Sequence, residues 1–148
     1  MPASAIDAMR VGFRTVDGIS VRCAESDGVR EQSIVLTSPW PESVYAFAPI
    51  WCSLAERARL LAVDLPGFGR SELRDELMSP SAMGEFIVRL IEECDLGRAH
   101  VVAPDVGTAA GLFAAAAHPD RIASLTVGSA SKLCNSAKTE RADHSSFR

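Results

Sequence analysis

The chain has 148 residues, of which 47% are hydrophobic and 23% charged, a composition typical of one globular domain with its own core. Its formal net charge of −4 gives no electrostatic footprint for nucleic acid. No apolar run reaches the roughly 18 residues of a membrane span, and the N-terminus MPASAIDAMR lacks the apolar core of a secretory signal. Four scattered cysteines without metal-binding spacing indicate reduced thiols, so we expect a cytoplasmic protein without membrane or nucleic-acid partners.

The first elements in the chain predict a β-hairpin. Residues 11–16 (VGFRTV) and 19–23 (ISVRC) alternate apolar and polar side chains, and Asp17-Gly18 between them is a strong signal for a tight turn. The polar stretch at residues 26–32 predicts a loop after the hairpin.

Short strands and helices alternate from residue 33 onward. Strands are predicted at residues 33–37, 60–63, 101–103 and 122–127, each a short apolar or β-branched run. One helix is predicted from Pro49 to Arg57, and a second, amphipathic one begins at Pro80 behind the cap residue Ser79 and ends at Gly97. This alternation predicts the α/β class, with a mostly parallel sheet between helices in three α/β/α layers.

The most informative stretch is HVVAPDVGTAAGLFAAAAHPD, residues 100–120. A short apolar run meets a tight turn at residues 104–107, and an Ala-rich helix is predicted over residues 108–117. Asp105 lies at the apex, with the small residues Ala103 and Gly107 two positions away on either side, which is the layout of a nucleophile elbow. The alternative is that Asp105 only caps the helix that follows it.

Three motifs, in the same order as in that family, resemble the N-terminal half of an α/β-hydrolase over about residues 11–130. The loop after the first parallel strand reads SPWP at residues 38–41, and DLPGFGRS at residues 64–71 matches the family's D-x-x-G-x-G-x-S segment. The third motif is the elbow, with HPDR at residues 118–121 after its helix. An aspartate at the apex, in place of serine, is similar to the haloalkane dehalogenase and epoxide hydrolase branch.

The resemblance implies a defined chemistry. Asp105 would attack an electrophilic carbon of a small-molecule halide, epoxide or ester and form a covalent alkyl-enzyme ester. The backbone N–H groups of Trp40 and Val106 would form the oxyanion hole, and a histidine held by an acid would activate water to cleave the ester. Nothing in the chain indicates a metal, a nucleotide or another cofactor.

The chain departs from the family pattern at several positions. Val106 stands where haloalkane dehalogenases usually have a tryptophan that binds the leaving halide, and Ser129 stands where some of them place an acid. The indole of Trp40 could supply one donor, or the ring could be a packed aromatic side chain. All three histidines are placed as structural or solvated side chains and not as the catalytic base: His100, His118 and His144.

The family's catalytic histidine, cap domain and last strands lie C-terminal to the part that matches. We therefore divide the chain into an N-terminal extension (residues 1–10), a partial, truncated α/β-hydrolase core (11–130) and a polar tail expected to be disordered (131–148). In such a core the strand at residues 122–127 would be an uncovered sheet edge, through which copies could self-associate. Two functions stay open: a hydrolase limited to the first half-reaction, and a truncated non-catalytic remnant without turnover.

Overall fold

The computed structural model describes residues 6–128, in which strands and helices alternate as predicted. The strands are Arg10–Val16 (β1), Ile19–Glu25 (β2), Ser33–Thr37 (β3), Arg59–Val63 (β4), Ala99–Pro104 (β5) and Ile122–Gly128 (β6). The α-helices are Ala48–Ala55 (α1), Pro80–Glu93 (α2) and Gly107–Ala117 (α3). No helix in this part of the chain is long and apolar enough to cross a membrane. The predicted tail, with His144, and Ser129 lie outside the described residues.

All six strands belong to one sheet, in the order β1-β2-β4-β3-β5-β6. β1 and β2 form the predicted hairpin, and Asp17 and Gly18 at its turn have φ angles of 50° and 74°, as a tight hairpin turn requires. β2 pairs antiparallel with β4, whereas β4-β3, β3-β5 and β5-β6 are parallel. The predicted α/β class with a mostly parallel sheet is confirmed.

Helices cover both faces of this sheet, which gives the three predicted layers. On one face α2 and α3 pack over a core that includes Phe86 and Leu90, both without exposed surface. On the other face α1 packs through Trp51, which is 1% exposed. Each of these large side chains stabilises the fold by about 1.5–3 kcal/mol through leaving water.

Two helix boundaries differ from the sequence prediction. α1 spans Ala48–Ala55 and not residues 49–57, because a 3₁₀ turn at Val44–Phe47 leads directly into it. α2 begins at Pro80 with Ser79 as its cap, as predicted, but it ends at Glu93. The chain then passes through left-handed conformations at Asp95 and Gly97, with φ angles of 50° and 65°, which a right-handed helix cannot include.

Candidate active site

The carboxyl ends of β3, β4 and β5 lie at the same edge of the sheet, because these three parallel strands are neighbours in the order β4-β3-β5. Each of them is followed by one of the predicted motifs, at residues 38–41, 64–71 and 104–107. The chain turns from one side of β3 to the other between β4 and β5, and binding sites in α/β sheets form at such a reversal. The fold therefore gathers the three motifs at one edge.

Asp105 occupies the sharp turn between β5 and α3 in a left-handed conformation, with a φ angle of 49°. This conformation is uncommon for a residue with a side chain and persists only where its surroundings hold it. The N–H of Asp105 donates to the carbonyl of Gly128 at 3.0 Å, and its own carbonyl accepts from the N–H of Thr108 at 3.0 Å. The Thr108 hydroxyl lies 2.8 Å from the Gly128 carbonyl and 3.0 Å from that of Ala103, so both β5 and β6 hold the turn.

Small side chains let α3 pack directly against the sheet behind this turn. A Cβ added at Gly111 would stand 2.9 Å from both the Cβ of Ala103 on β5 and the Cδ1 of Leu125 on β6. Real Cβ atoms essentially never come so close to a neighbour. Gly111 and Ala103 are thus small for a steric reason, since larger side chains there would push α3 away from the sheet.

The side chain of Asp105 contacts the loop after β3. Its Oδ2 accepts a hydrogen bond of 3.0 Å from the backbone N–H of Trp40, and none of the hydrogen bonds among residues 6–128 involves its Oδ1. The N-cap of α3 is Val106, and no side chain caps that helix, so the alternative that Asp105 serves as the cap is wrong. The N-terminus of α3 adds a positive dipole end, which favours negative charge at this turn.

Trp40 and Val106, whose N–H groups were the predicted oxyanion-hole donors, both adjoin Asp105. Trp40 does so through its hydrogen bond to the carboxylate, and Val106 as the next residue in the chain. Trp40 is 66% exposed among the described residues, so its ring is not packed into the core that they form. The side chain of Val106 is half-buried and offers no hydrogen-bond donor.

Asp64, the first residue of the motif at residues 64–71, has no exposed surface. Its Oδ1 accepts the backbone N–H of Val44 at 3.0 Å, and its Oδ2 lies 2.6 Å from both Nε and Nη2 of Arg22. The backbone N–H of Arg70 also donates to Oδ2, at 3.2 Å. This carboxylate therefore joins β2, the loop after β3 and its own loop.

Arg22 is a residue of this site that the sequence prediction missed. It is 8% exposed and lies between the buried residues Val21 and Cys23 in β2. A charged side chain in a strand that is buried on both faces needs an opposite charge nearby. The sequence carried no signal for this burial, because the alternation of residues 19–23 predicts Arg22 on the polar face of the hairpin.

Two histidines fall within the described part of the chain, and both are engaged away from Asp105. The Nδ1 of His100 lies 2.7 Å from the Ser124 hydroxyl, and the Nε2 of His118 lies 3.0 Å from the Glu85 carboxylate. This agrees with the expectation that they are structural. Within residues 6–128 no group of three or more His, Cys, Asp or Glu side chains is arranged to hold a metal ion.

A largely parallel sheet with an antiparallel N-terminal hairpin and a sharp turn between β5 and α3 is the layout expected of an α/β-hydrolase. The family described as alpha/beta hydrolase fold matches residues 33–145, and the chain belongs to it. The predicted α/β-hydrolase fold is thereby confirmed.

The relatives are longer proteins. The chain is 35% identical over 114 residues to RutD of a Caulobacter species, a hydrolase named for carbamate hydrolysis, and the match covers 76% of this chain and 42% of the relative. It is 24% identical over 128 residues to the hydrolase YugF of Bacillus subtilis, covering 86% and 45%. The chain thus spans less than half the length of these relatives.

Solved structures of longer proteins also share the fold of this chain. Cfl2 from Burkholderia cenocepacia superposes with a TM-score of 0.75 at 31% identity, covering 81% of this chain and 41% of that one. Epoxide hydrolase VrEH1 from Vigna radiata has a TM-score of 0.74 at 23% identity, covering 82% and 40%. At that level of identity the second likeness concerns the fold alone.

Proposed function

We propose that this chain carries the nucleophilic half of a hydrolase whose nucleophile is Asp105. The hydrogen bond from the Trp40 N–H to Oδ2 of Asp105 is the observation that carries the proposal. It holds one carboxylate oxygen against a backbone donor and leaves Oδ1, which has no hydrogen-bond partner among residues 6–128, as the attacking atom. The substrate is a small molecule with a carbon–halogen, epoxide or ester bond.

The covalent step balances without a cofactor. Oδ1 attacks the electrophilic carbon, and the bond to the leaving group breaks. A halide departs with its electron pair, a carboxylate departs in the same way from the alkyl carbon of an ester, or an epoxide oxygen becomes an alkoxide that takes a proton from water. The product is an ester between the Asp105 carboxylate and the substrate carbon, with Oδ2 as the carbonyl oxygen. The exposed ring of Trp40 beside Asp105 offers apolar surface to the alkyl part of the substrate.

Hydrolysis of that ester would use the same donors. When water attacks the Cγ of Asp105, negative charge develops on Oδ2, which the Trp40 N–H already contacts. The Val106 N–H, at the start of α3, is the proposed second donor. Together they are the backbone oxyanion hole of the proposed reaction.

A second candidate is a truncated, non-catalytic remnant without turnover. It is favoured by the engagement of His100 with Ser124 and of His118 with Glu85, since within residues 6–128 no histidine contacts Asp105. A general base must come within hydrogen-bond reach of the water it activates. The described part of the chain therefore supports the covalent step and supplies no histidine for the second one.

Covalent trapping separates the two candidates. The purified chain is incubated with a terminal epoxide and a primary alkyl bromide, because attack of a carboxylate on either one leaves a stable alkyl ester. In a Cys52→Ser/Cys134→Ser background, which removes the exposed thiol of Cys52 and the thiol at position 134, intact mass and peptide mapping are expected to show one adduct at Asp105, absent from Asp105→Ala. Asp120→Asn is the matched control, because Asp120 is an exposed carboxylate beyond the other end of α3, and it keeps the adduct.

The outcomes are distinct. An adduct at Asp105 that accumulates without product release supports a chain limited to the first half-reaction. A folded chain that forms no adduct, or one that forms it equally in Asp105→Ala, overturns the nucleophile and leaves the non-catalytic remnant.

A further inference from the structure

We propose that Asp64 is a positioning residue, which holds the loop of residues 38–44 so that the N–H of Trp40 meets Asp105. The effect on reactivity depends on the function proposed above. The positioning itself is a property of the loop and can be measured without any reaction.

The loop is tied down at both ends and once in between. At its start the Ser38 N–H donates to the Val63 carbonyl at 2.9 Å, and the Ser38 hydroxyl donates to the same oxygen at 3.1 Å. At its end the Val44 N–H donates to Oδ1 of Asp64 at 3.0 Å. In the middle, the Trp40 N–H donates to Oδ2 of Asp105 at 3.0 Å. The acceptors at the two ends are Val63, the last residue of β4, and Asp64, the residue after it. The position of the loop relative to the sheet is therefore fixed by the end of β4.

The carboxylate of Asp64 has several partners of its own, which restrict the position of its side chain. Arg22 lies 2.6 Å from Oδ2 through two nitrogens, and the Arg70 N–H approaches the same oxygen at 3.2 Å. Gly69, with a φ angle of 55°, comes so close that a Cβ there would stand 2.0 Å from Oδ2. These contacts all act on Oδ2 and leave Oδ1 to Val44.

A second link runs from Arg22 to the same end of the loop. The guanidinium carbon of Arg22 lies 6.0 Å from the ring centre of Tyr45, at the outer limit of a cation–π contact. Tyr45 follows Val44 directly, in the 3₁₀ turn that closes the loop. The buried pair therefore holds two consecutive residues of that turn.

The first test removes one donor and leaves the ion pair intact. Val44→Pro deletes the N–H that reaches Asp64, and Pro suits this position because Val44 starts the turn and Ser43 before it is extended, with φ −148° and ψ −173°. Val44→Ala is the matched control, because it keeps the N–H while losing most of the buried side chain. The readout is amide hydrogen exchange at Trp40, followed by NMR.

We expect the Trp40 amide to exchange about tenfold faster in Val44→Pro, as the loss of a hydrogen bond to a carboxylate predicts. Exchange at Trp40 in Val44→Ala stays within about twofold of the wild-type rate. Asp105→Ala gives the fully unprotected reference, since it removes the acceptor itself. Equal Trp40 exchange in Val44→Pro and Val44→Ala would overturn the proposal.

A second pair of variants covers the case in which Val44→Pro does not fold. In an Arg22→Met background, Asp64→Asn keeps an oxygen for the Val44 N–H, whereas Asp64→Leu does not, and neither leaves an unpaired buried charge. A role in positioning predicts protected Trp40 exchange with Asp64→Asn and fast exchange with Asp64→Leu. A purely structural ion pair predicts the same exchange in both, which would also overturn the proposal.

The same variants separate this proposal from the proposed nucleophile. Covalent trapping of Asp105 is expected to slow in parallel with the loss of Trp40 protection. If no variant or wild-type chain forms an adduct while the exchange pattern holds, the nucleophile fails and the positioning role of Asp64 stands. If adducts form at equal rates whatever the Trp40 exchange, the nucleophile stands and the link from the loop to reactivity fails.

Discussion

The hydroxyl oxygen of Thr37 lies against the backbone of Gly107, so close that a Cβ added at Gly107 would stand 2.0 Å from it. Thr37 is the last residue of β3 and Gly107 the first of α3, and their contact sets how near the elbow helix comes to the central strand. The Thr37 hydroxyl is fully buried and has no hydrogen-bond partner among residues 6–128. The first residue of α3 thus packs against a buried hydroxyl oxygen that has no hydrogen bond among the described residues.

A double-mutant cycle at this contact tests the steric account. Gly107→Ala is expected to destabilise the fold by about 2–3 kcal/mol, because the new methyl group overpacks a buried contact. Thr37→Ala should cost less than about 1 kcal/mol, since the group it removes includes a buried hydroxyl that is not hydrogen-bonded. In the double variant the Oγ1 clash is gone and the nearest remaining contact is 3.1 Å, so a coupling of about 1–2 kcal/mol is expected in urea unfolding. Additive costs would contradict the contact.

The two edges of the sheet differ in charge, and this difference predicts how copies of the chain associate. β1 carries Arg10 and Arg14, which discourage pairing, whereas β6 (IASLTVG) has no charged residue and no described strand on its outer side. We expect copies to pair through β6, seen as an average mass in sedimentation that rises with concentration. Thr126→Lys on β6 should reduce that association, and Thr15→Lys on β1 should leave it unchanged. A concentration-independent monomer, or equal effects of both variants, would argue against the β6 edge.

The ion pair between Arg14 and Glu25 predicts part of the dependence of stability on pH. The side-chain hydrogen bond from Arg14, 2.8 Å between Nη2 and Oε2, holds the pKa of Glu25 below its usual range. A carboxyl with a lowered pKa in the folded state stabilises the fold above its unfolded pKa, and this contribution is lost as the pH falls through the folded value. Glu25→Gln should therefore cost up to about 1 kcal/mol at neutral pH and nothing once the pH is well below about 4. Unfolding curves of both proteins across this range are the measurement, and a constant difference at all pH values would contradict it.

The described cysteines predict an order of thiol reactivity. Burial raises the pKa of Cys23 to about 12 and also raises the pKa of Cys94, whereas Cys52 is exposed. In a Cys134→Ser background, iodoacetamide at neutral pH should modify Cys52 first, because the thiolate is the reactive form and the other two are buried. Modification of Cys23 and Cys94 should follow only with unfolding, so its rate reports opening of the core. Rapid labelling of Cys23 in the folded chain, followed by mass spectrometry, would contradict the buried placement.

Much of the fold was predictable because it rests on local properties. The Asp17-Gly18 turn, the cap at Ser79 and the alternation of short strands with helices all follow from a few neighbouring residues. The placement of a turn at Asp105 was predictable for the same reason, since a short apolar run, a small-residue turn and an Ala-rich helix adjoin there. The exact helix ends were not, because a 3₁₀ turn leads into α1 and left-handed residues follow α2.

The sequence by itself determined the α/β class, the hairpin and the positions of the three motifs at strand ends. Only the tertiary structure decided the hydrogen-bond partners of Asp64 and Asp105 within the chain. Asp105 contacts a backbone N–H 65 residues away and does not cap its own helix, and Asp64 pairs with an arginine 42 residues away. The physical reason is that a carboxylate takes whichever donor the strand order brings within about 3 Å. That order, with β4 and β5 on either side of β3, arises from the packing of the whole sheet.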